Sequence, residues 1–167
     1  MTIFTSKISS RRHWGSRRDA NVKDRLWLLY QLQIVAAVRG VTSGVFKTYA
    51  EELDARFATD DAELQQLKAL INSAKDEILD AVTFVKTQSG VYLDLVARQL
   101  VESAIYVLCG HYLVAQAMHC DRKKKVAKLY IEKKRPTITA NCAVVKNGNS
   151  QEIDDYELIA GPVPAVA

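Results

Sequence analysis

Cys109, His111, His119 and Cys120 are the metal-ligand residue types that crowd closest together in this chain. Two side chains that share one ion from the same helix must sit three or four residues apart. His111 and His119 are eight apart, which is roughly 12 Å along a helix axis. Cys120 is adjacent to His119 and points elsewhere. The Glu-x-x-His pair that di-iron bundles use does not occur. The stretch is therefore expected to serve packing: Cys109, Gly110, Ala115 and Ala117 at a close helix contact, with His111 hydrogen-bonded or at the rim.

Acid–base chemistry has one starting point. Arg98 and Glu102 are four apart, the spacing of an ion pair along a helix. Such a pair normally decorates a helix surface. Buried inside a bundle, Glu102 would instead be a candidate acid, and Glu102 or His111 would then carry the reaction of a small bundle enzyme.

Phosphate chemistry has more to work with. Arg122, Lys123, Lys124, Lys125, Lys128, Lys133, Lys134 and Arg135 crowd into one segment with only Asp121 and Glu132 opposing them. On a helix, Lys124, Lys128 and Arg135 fall near one face, with Lys123 and Lys134 close by. A second basic patch, Arg11, Arg12, Arg17 and Arg18, lies near the N-terminus, with His13, Trp14 and Trp27 as stacking candidates. Clusters of this kind bind nucleic acid, anionic lipid or the phosphates of coenzyme A. No nucleic-acid motif of defined docking geometry accompanies them. The acids are just as blocked: Glu51, Glu52, Asp54, Asp60, Asp61, Glu63, Asp76, Glu77 and Asp80 stand against Arg56, Lys68 and Lys75. Opposed blocks predict either self-complementary packing or an acidic partner for the basic face, and the plain alternative is solvated helix faces.

These residues belong to a chain of 167 residues with a net charge of +4, 49% hydrophobic and 25% charged. That is the size of one domain able to bury a core. Its 7 Gly and 3 Pro are too few for a sandwich or barrel of short strands. There is no Gly-rich phosphate loop and no run of apolar residues long enough for a bilayer span. Three cysteines, an odd number, fit a reducing cytoplasmic setting better than a disulfide framework. Residues 1–18 are basic, serine-rich and free of acids, which also suits a transit peptide and hence an organellar matrix.

Helical periodicity organises the rest. Residues 1–20 read as a flexible basic segment, 21–145 as the helical domain and 146–167 as a tail. Leu26, Leu29, Leu32, Val35 and Val38, then Val41, Val45 and Phe46, predict one continuous helix from Asn21 to about Phe57, with Gly40 and Gly44 as the place for a kink or for close approach of a neighbouring helix. Thr59 or Asp60 is expected to cap a second helix over 61–87, whose stripe is Leu64, Leu67, Ile71, Ala74, Ile78, Val82 and Val85. Gly90 is the expected left-handed residue that ends it. The third helix, 91–119, is the most apolar and should lie at the centre. A shorter basic helix, 121–134, should stop at Arg135–Pro136. Residues 137–145 read as helix or extended chain, 146–150 as a turn and 154–164 as irregular. The sum is an all-α, antiparallel, up-and-down bundle of three long helices plus a shorter basic one.

The segment from Asp94 to Arg135 carries a resemblance. Its parts are Asp94-Leu-Val-Ala-Arg-Gln-Leu-Val, Gly110-His-Tyr-Leu-Val-Ala-Gln-Ala and Lys125-Val-Ala-Lys-Leu-Tyr-Ile. It resembles the C-terminal helical segment of acyl-CoA dehydrogenase-like proteins, where an apolar, small-residue helix precedes a charged helix that packs on the bundle. Nothing here resembles that family's flavin-binding middle domain, its catalytic carboxylate or its Gly-rich C-terminal signature. The resemblance implies a non-catalytic interaction or oligomerisation domain that packs on its own copies or beside a flavoprotein. It implies no catalytic residue, metal or cofactor of the chain's own, with flavin or a coenzyme A thioester belonging to a partner. In that reading Arg122, Lys123, Lys124, Lys125, Lys128, Lys134 and Arg135 meet a partner's acids or phosphates. The alternative is a small basic bundle that binds nucleic acid through both basic blocks.

Overall fold

A computed structural model of the chain describes residues 33, 34 and 36–161. The N-terminal basic patch, the transit-peptide reading and the first part of the expected long helix lie outside the described residues. A helical segment at 36–42 is followed by α1 (Val45–Arg56), α2 (Ala62–Val85), α3 (Gly90–Ala117) and α4 (Asp121–Lys146). Two short helices, α5 (Gln151–Asp154) and α6 (Tyr156–Ala160), close the described chain. Among the described residues there is no strand, and the all-α bundle is as expected.

Cross-helix pairs fix the directions. Lys75 approaches Glu51 and Lys68 approaches Asp54, so α1 and α2 are antiparallel. Tyr92, at the start of α3, donates from its Oη to the Val145 carbonyl at the end of α4, 2.8 Å away. The same Oη accepts from the Gly148 N–H at 3.1 Å. Phe84 of α2 meets Tyr92 of α3, and Ile71 meets Gly110, so α2 and α3 are antiparallel as well. α2 and α4 are therefore parallel, which the charge pairing below depends on.

The core is built from the predicted stripes. Leu64, Leu67, Ile71, Ala74, Ile78, Val82 and Val85 of α2 are all buried. They meet Tyr92, Val96, Leu100, Val107 and Val114 of α3 and Ala127, Ile131, Ile138, Cys142 and Val145 of α4. α3 packs against α1, α2 and α4, the central place its apolar composition predicts. By length and composition α3 is also long and apolar enough to cross a membrane, but half of its most apolar window is buried in the bundle. Its buried Ser103 is satisfied by a hydrogen bond from Asn141 Nδ2 at 3.1 Å. At Gly110 a Cβ would stand 3.1 Å from both Cγ1 and Cδ1 of Ile71. The absent side chain is what lets α2 and α3 approach there.

Five local expectations need correction. The first helix is not continuous. Gly44 adopts φ 99°, a left-handed value that ends the 36–42 segment and starts α1 afresh. Asp61, rather than Thr59 or Asp60, caps α2: its Oδ1 accepts from the N–H groups of Glu63 (2.9 Å) and Leu64 (3.1 Å). Gly90 is the first residue of α3 behind a Ser89 cap, and its φ is not positive. The basic helix is long and α1 is the short one, because α4 runs through Pro136 to Lys146. Burial of Ile138, Cys142 and Val145 beyond the proline outweighs the roughly 3 kcal/mol that a helix-interior proline costs. Finally, the tail forms α5 and α6 over part of the stretch expected to be irregular.

The broken first helix gives two glycine substitutions opposite signs. A Cβ at Gly40 meets nothing within 4 Å, so Gly40→Ala should stabilise by up to about 1 kcal/mol through helix propensity. Gly44→Ala should destabilise by about 1 kcal/mol, because alanine resists the left-handed backbone. Thermal denaturation of the two variants reads both. A stabilising Gly44→Ala would mean a continuous helix.

Candidate interaction surfaces

The basic segment becomes α4, and the face bearing Lys124, Lys128 and Arg135 turns toward α2. Lys124 Nζ lies 2.5 Å from Asp61 Oδ2, Lys128 Nζ 3.9 Å from Glu63 Oε1, and Arg135 Nη1 2.6 Å from Glu77 Oε2. Lys146 Nζ, on the last residue of α4, lies 2.8 Å from Asp80 Oδ2. The pairs ascend both helices together, as parallel helices require. The opposed charge blocks thus meet within one chain. Lys134 sits 4.1 Å above the Tyr106 ring of α3, a cation–π contact.

Two of these pairs do more than neutralise. Asp61 both caps α2 and anchors the first turn of α4. Lys124 holds its carboxyl below the usual carboxylate range, with the two capping N–H bonds adding to the effect, and Lys124 is raised in return. Arg135 also donates to Thr139 Oγ1 at 2.5 Å, and Glu77 accepts from that hydroxyl at 3.3 Å. Both members of the Arg135–Glu77 pair are about three quarters buried. Arg135→Glu should cost about 2 kcal/mol, since it leaves two carboxylates facing each other. Adding Glu77→Arg should recover at least half of that. A double-mutant cycle in urea measures both, and zero coupling would contradict this register.

The ligand-type quartet is not brought together. Cys109 is half-buried, His111 is buried, and His119 and Cys120 are exposed at the corner between α3 and α4. His111 is neither at the rim nor fully hydrogen-bonded: it is 1% exposed and its Nε2 has no partner. Burial lowers its pKa, and Lys68 and Lys75 push the same way against Asp54. The Cys142 thiol is pushed up to about 11, chiefly by burial, which keeps it protonated and unreactive. Burial also raises the Tyr130 phenol, with Cys109 beside it. Glu102 is an ion-pair partner at the surface: Arg98 Nε donates to its Oε1 at 2.8 Å.

What the sequence alone did not single out is apolar surface. Along α3 and the 33–49 stretch runs an open groove of two adjoining cavities, about 190 and 230 Å³. Ala37, Val101 and Ile105 line both, Arg98 and Glu102 close one end, and Val45 and Tyr49 flank the other. On the outward side of α4, Val126, Leu129 and Val144 are exposed, Leu129 at 69%. On α6, Tyr156, Leu158 and Ile159 stand between 66% and 83% exposed. Helical spacing of three and four signals these faces, but each was hidden behind a stronger pattern: the charge run on α4 and the turn residues that precede the tail.

A profile for the C-terminal region of acyl-CoA dehydrogenases matches residues 42–153, two thirds of the chain. The match runs from the turn before α1 into α5 and takes in all four bundle helices. The chain belongs to the acyl-CoA dehydrogenase C-terminal family. Comparisons with curated proteins and with solved structures gave no match. Membership covers the bundle and extends the Asp94–Arg135 resemblance to both sides. The two groove cavities have Ala37, Val101 and Ile105 in common. Their shared lining is aliphatic and offers no array of donors for an isoalloxazine or a pyrophosphate.

Proposed function

We propose that this chain is a non-catalytic assembly domain, a helical bundle that joins copies of itself or a flavoprotein-type partner. The carrying observation is apolar surface left over after the core is complete. The interior is closed by its own stripes and by the α2–α4 ion pairs, yet Val126, Leu129, Tyr156, Leu158 and Ile159 stay exposed. Such faces on a stable domain mark contact surfaces. Membership of a family that occupies the C-terminal region of acyl-CoA dehydrogenases supports the reading. Any flavin or coenzyme A thioester in the assembly is assigned to the partner.

Nucleic-acid binding through the basic blocks is the second reading. It is weakened because Lys124, Lys128, Lys134 and Arg135 are occupied within the bundle. Arg122, Lys123 and Lys125 remain for an outside anion. Native purification at low salt, with mass and ultraviolet–visible spectrum followed together, separates the readings. A plain protein spectrum, or one with a flavin band, at a mass above the monomer supports assembly. A nucleic-acid peak that salt removes, leaving a monomer, would overturn it.

A further inference from the structure

The outward face of α4 carries two features on one stripe. Arg122, Lys125 and Lys133 are exposed and pair with no acid among the described residues, with Asp121 and Glu132 the two acids beside them. Spaced among them by helical turns are the exposed Val126 and Leu129. The C-terminal segment is the counterpart. From Asn149 to Gly161 it has four acids, Glu152, Asp154, Asp155 and Glu157, and no Lys or Arg. Its Tyr156, Leu158 and Ile159 are among the most exposed apolar side chains of the described chain. One surface is basic and aliphatic, the other acidic and aliphatic, and neither is covered.

We propose that the acidic α5–α6 segment of one copy docks on the basic, outward stripe of α4 in a second copy. This rests on the reading of the chain as an assembly domain and names its partner and its contact. Reach keeps a chain's own segment from the Arg122–Leu129 part of its stripe. The segment leaves from the far end of α4, where Tyr92 fixes the turn at Val145 and Gly148. Leu129 lies roughly 26 Å back along α4 from Lys146, and Arg122 farther, at 1.5 Å per residue. The ten residues of α5 and α6 span only roughly 15 Å when helical. A second copy brings the two surfaces together with no unfolding. Charge sets register and encounter, while the aliphatic side chains supply the buried area.

The test uses the full chain in sedimentation equilibrium, with two charge-reversed forms. One carries Arg122→Glu and Lys125→Glu, the other Glu152→Lys and Glu157→Lys. All four positions are exposed, and circular dichroism checks that helicity is kept. Each form alone should self-associate at least tenfold more weakly than the wild type. An equimolar mixture should regain association, because the reversed stripe meets the reversed tail. Leu129→Asp should weaken association without rescue by either form. If the wild type associates but neither reversal weakens it, this contact is wrong while assembly through another face stands. A wild type that is monomeric and carries no partner overturns the contact and the assembly reading together, whereas one copy bound to a flavoprotein-type partner overturns the contact alone.

Discussion

Gly110→Leu should lower the stability of the bundle by about 3 kcal/mol, which is roughly 10 °C in Tm for a chain of this size. The glycine sits in the C-terminal third of α3 with no room for a large side chain. A Cβ alone would stand 3.1 Å from two atoms of Ile71, with Cγ1 of Ile131 at 3.8 Å. Ile71 is 3% exposed and Ile131 5%, so neither has solvent to move into. A leucine there must push α2 or α4 away from α3 and open the layer that Leu67, Ala74 and Val107 fill. Gly110→Ala separates crowding from propensity. Its helix gain of up to about 1 kcal/mol is set against a shift of Ile71 by a few tenths of an ångström, so the net change should be small. Adding Ile71→Ala to Gly110→Leu should recover part of the loss, because the cavity of one accepts the bulk of the other. Urea denaturation of the three variants reads the set. A Gly110→Leu variant as stable as the wild type would mean that α2 and α3 are not in contact at this level.

His111 should make the bundle acid-sensitive. Its imidazole is 1% exposed with Nε2 unpartnered, and burial holds its pKa below the usual 6.5. The charged groups around it are Asp54 from α1 and Lys68 and Lys75 from α2. Asp54 is already engaged by Lys68 at 3.2 Å. Lys68 also caps α1 by donating to the carbonyls of Asp54 (2.8 Å) and Phe57 (3.0 Å). A proton on His111 would therefore enter a site whose one acid has a partner and whose two other charges are positive. The unfolded chain binds that proton more readily than the folded one. The stability at stake is fully present above pH 6.5 and falls as the pH drops toward the lowered folded value. Melting curves from pH 7.5 to about 5 should show this decline, and His111→Gln should flatten it. His111→Lys, which brings a charge at neutral pH, should cost at least about 3 kcal/mol. A His111→Gln variant with the same acid slope as the wild type would move the sensitivity to another group.

The stripe on α2 was legible because it is a long, uninterrupted run at steps of three and four, and the central place of α3 was legible from its apolar composition. The charge blocks were legible too, and of the two uses they allowed, pairing of α4 with α2 is the one formed. Where the reading failed, a local rule was set against a long-range one. Pro136 signals a stop, but the stripe Ala127, Ile131, Ile138, Cys142 and Val145 crosses it, and burial decided. At Gly44 the error ran the other way. The apolar spacing from Val38 to Phe46 is helical on both sides, yet one left-handed residue redirects the chain between them. Asp61 was placed one position inside its helix because Thr59, Asp60 and Asp61 are all capping types, and only the geometry distinguishes them. His111 could not be placed from sequence, since a histidine on an apolar helix suits the rim as well as the core.

Sedimentation equilibrium of the full chain, at low and at moderate salt, tests the assembly reading most directly. An assembly domain joined through exposed aliphatic and charged faces predicts mass above the monomer that rises with protein concentration and falls as salt screens the charges. A single monomeric mass at every concentration and both salt levels, from protein carrying no partner, would contradict it.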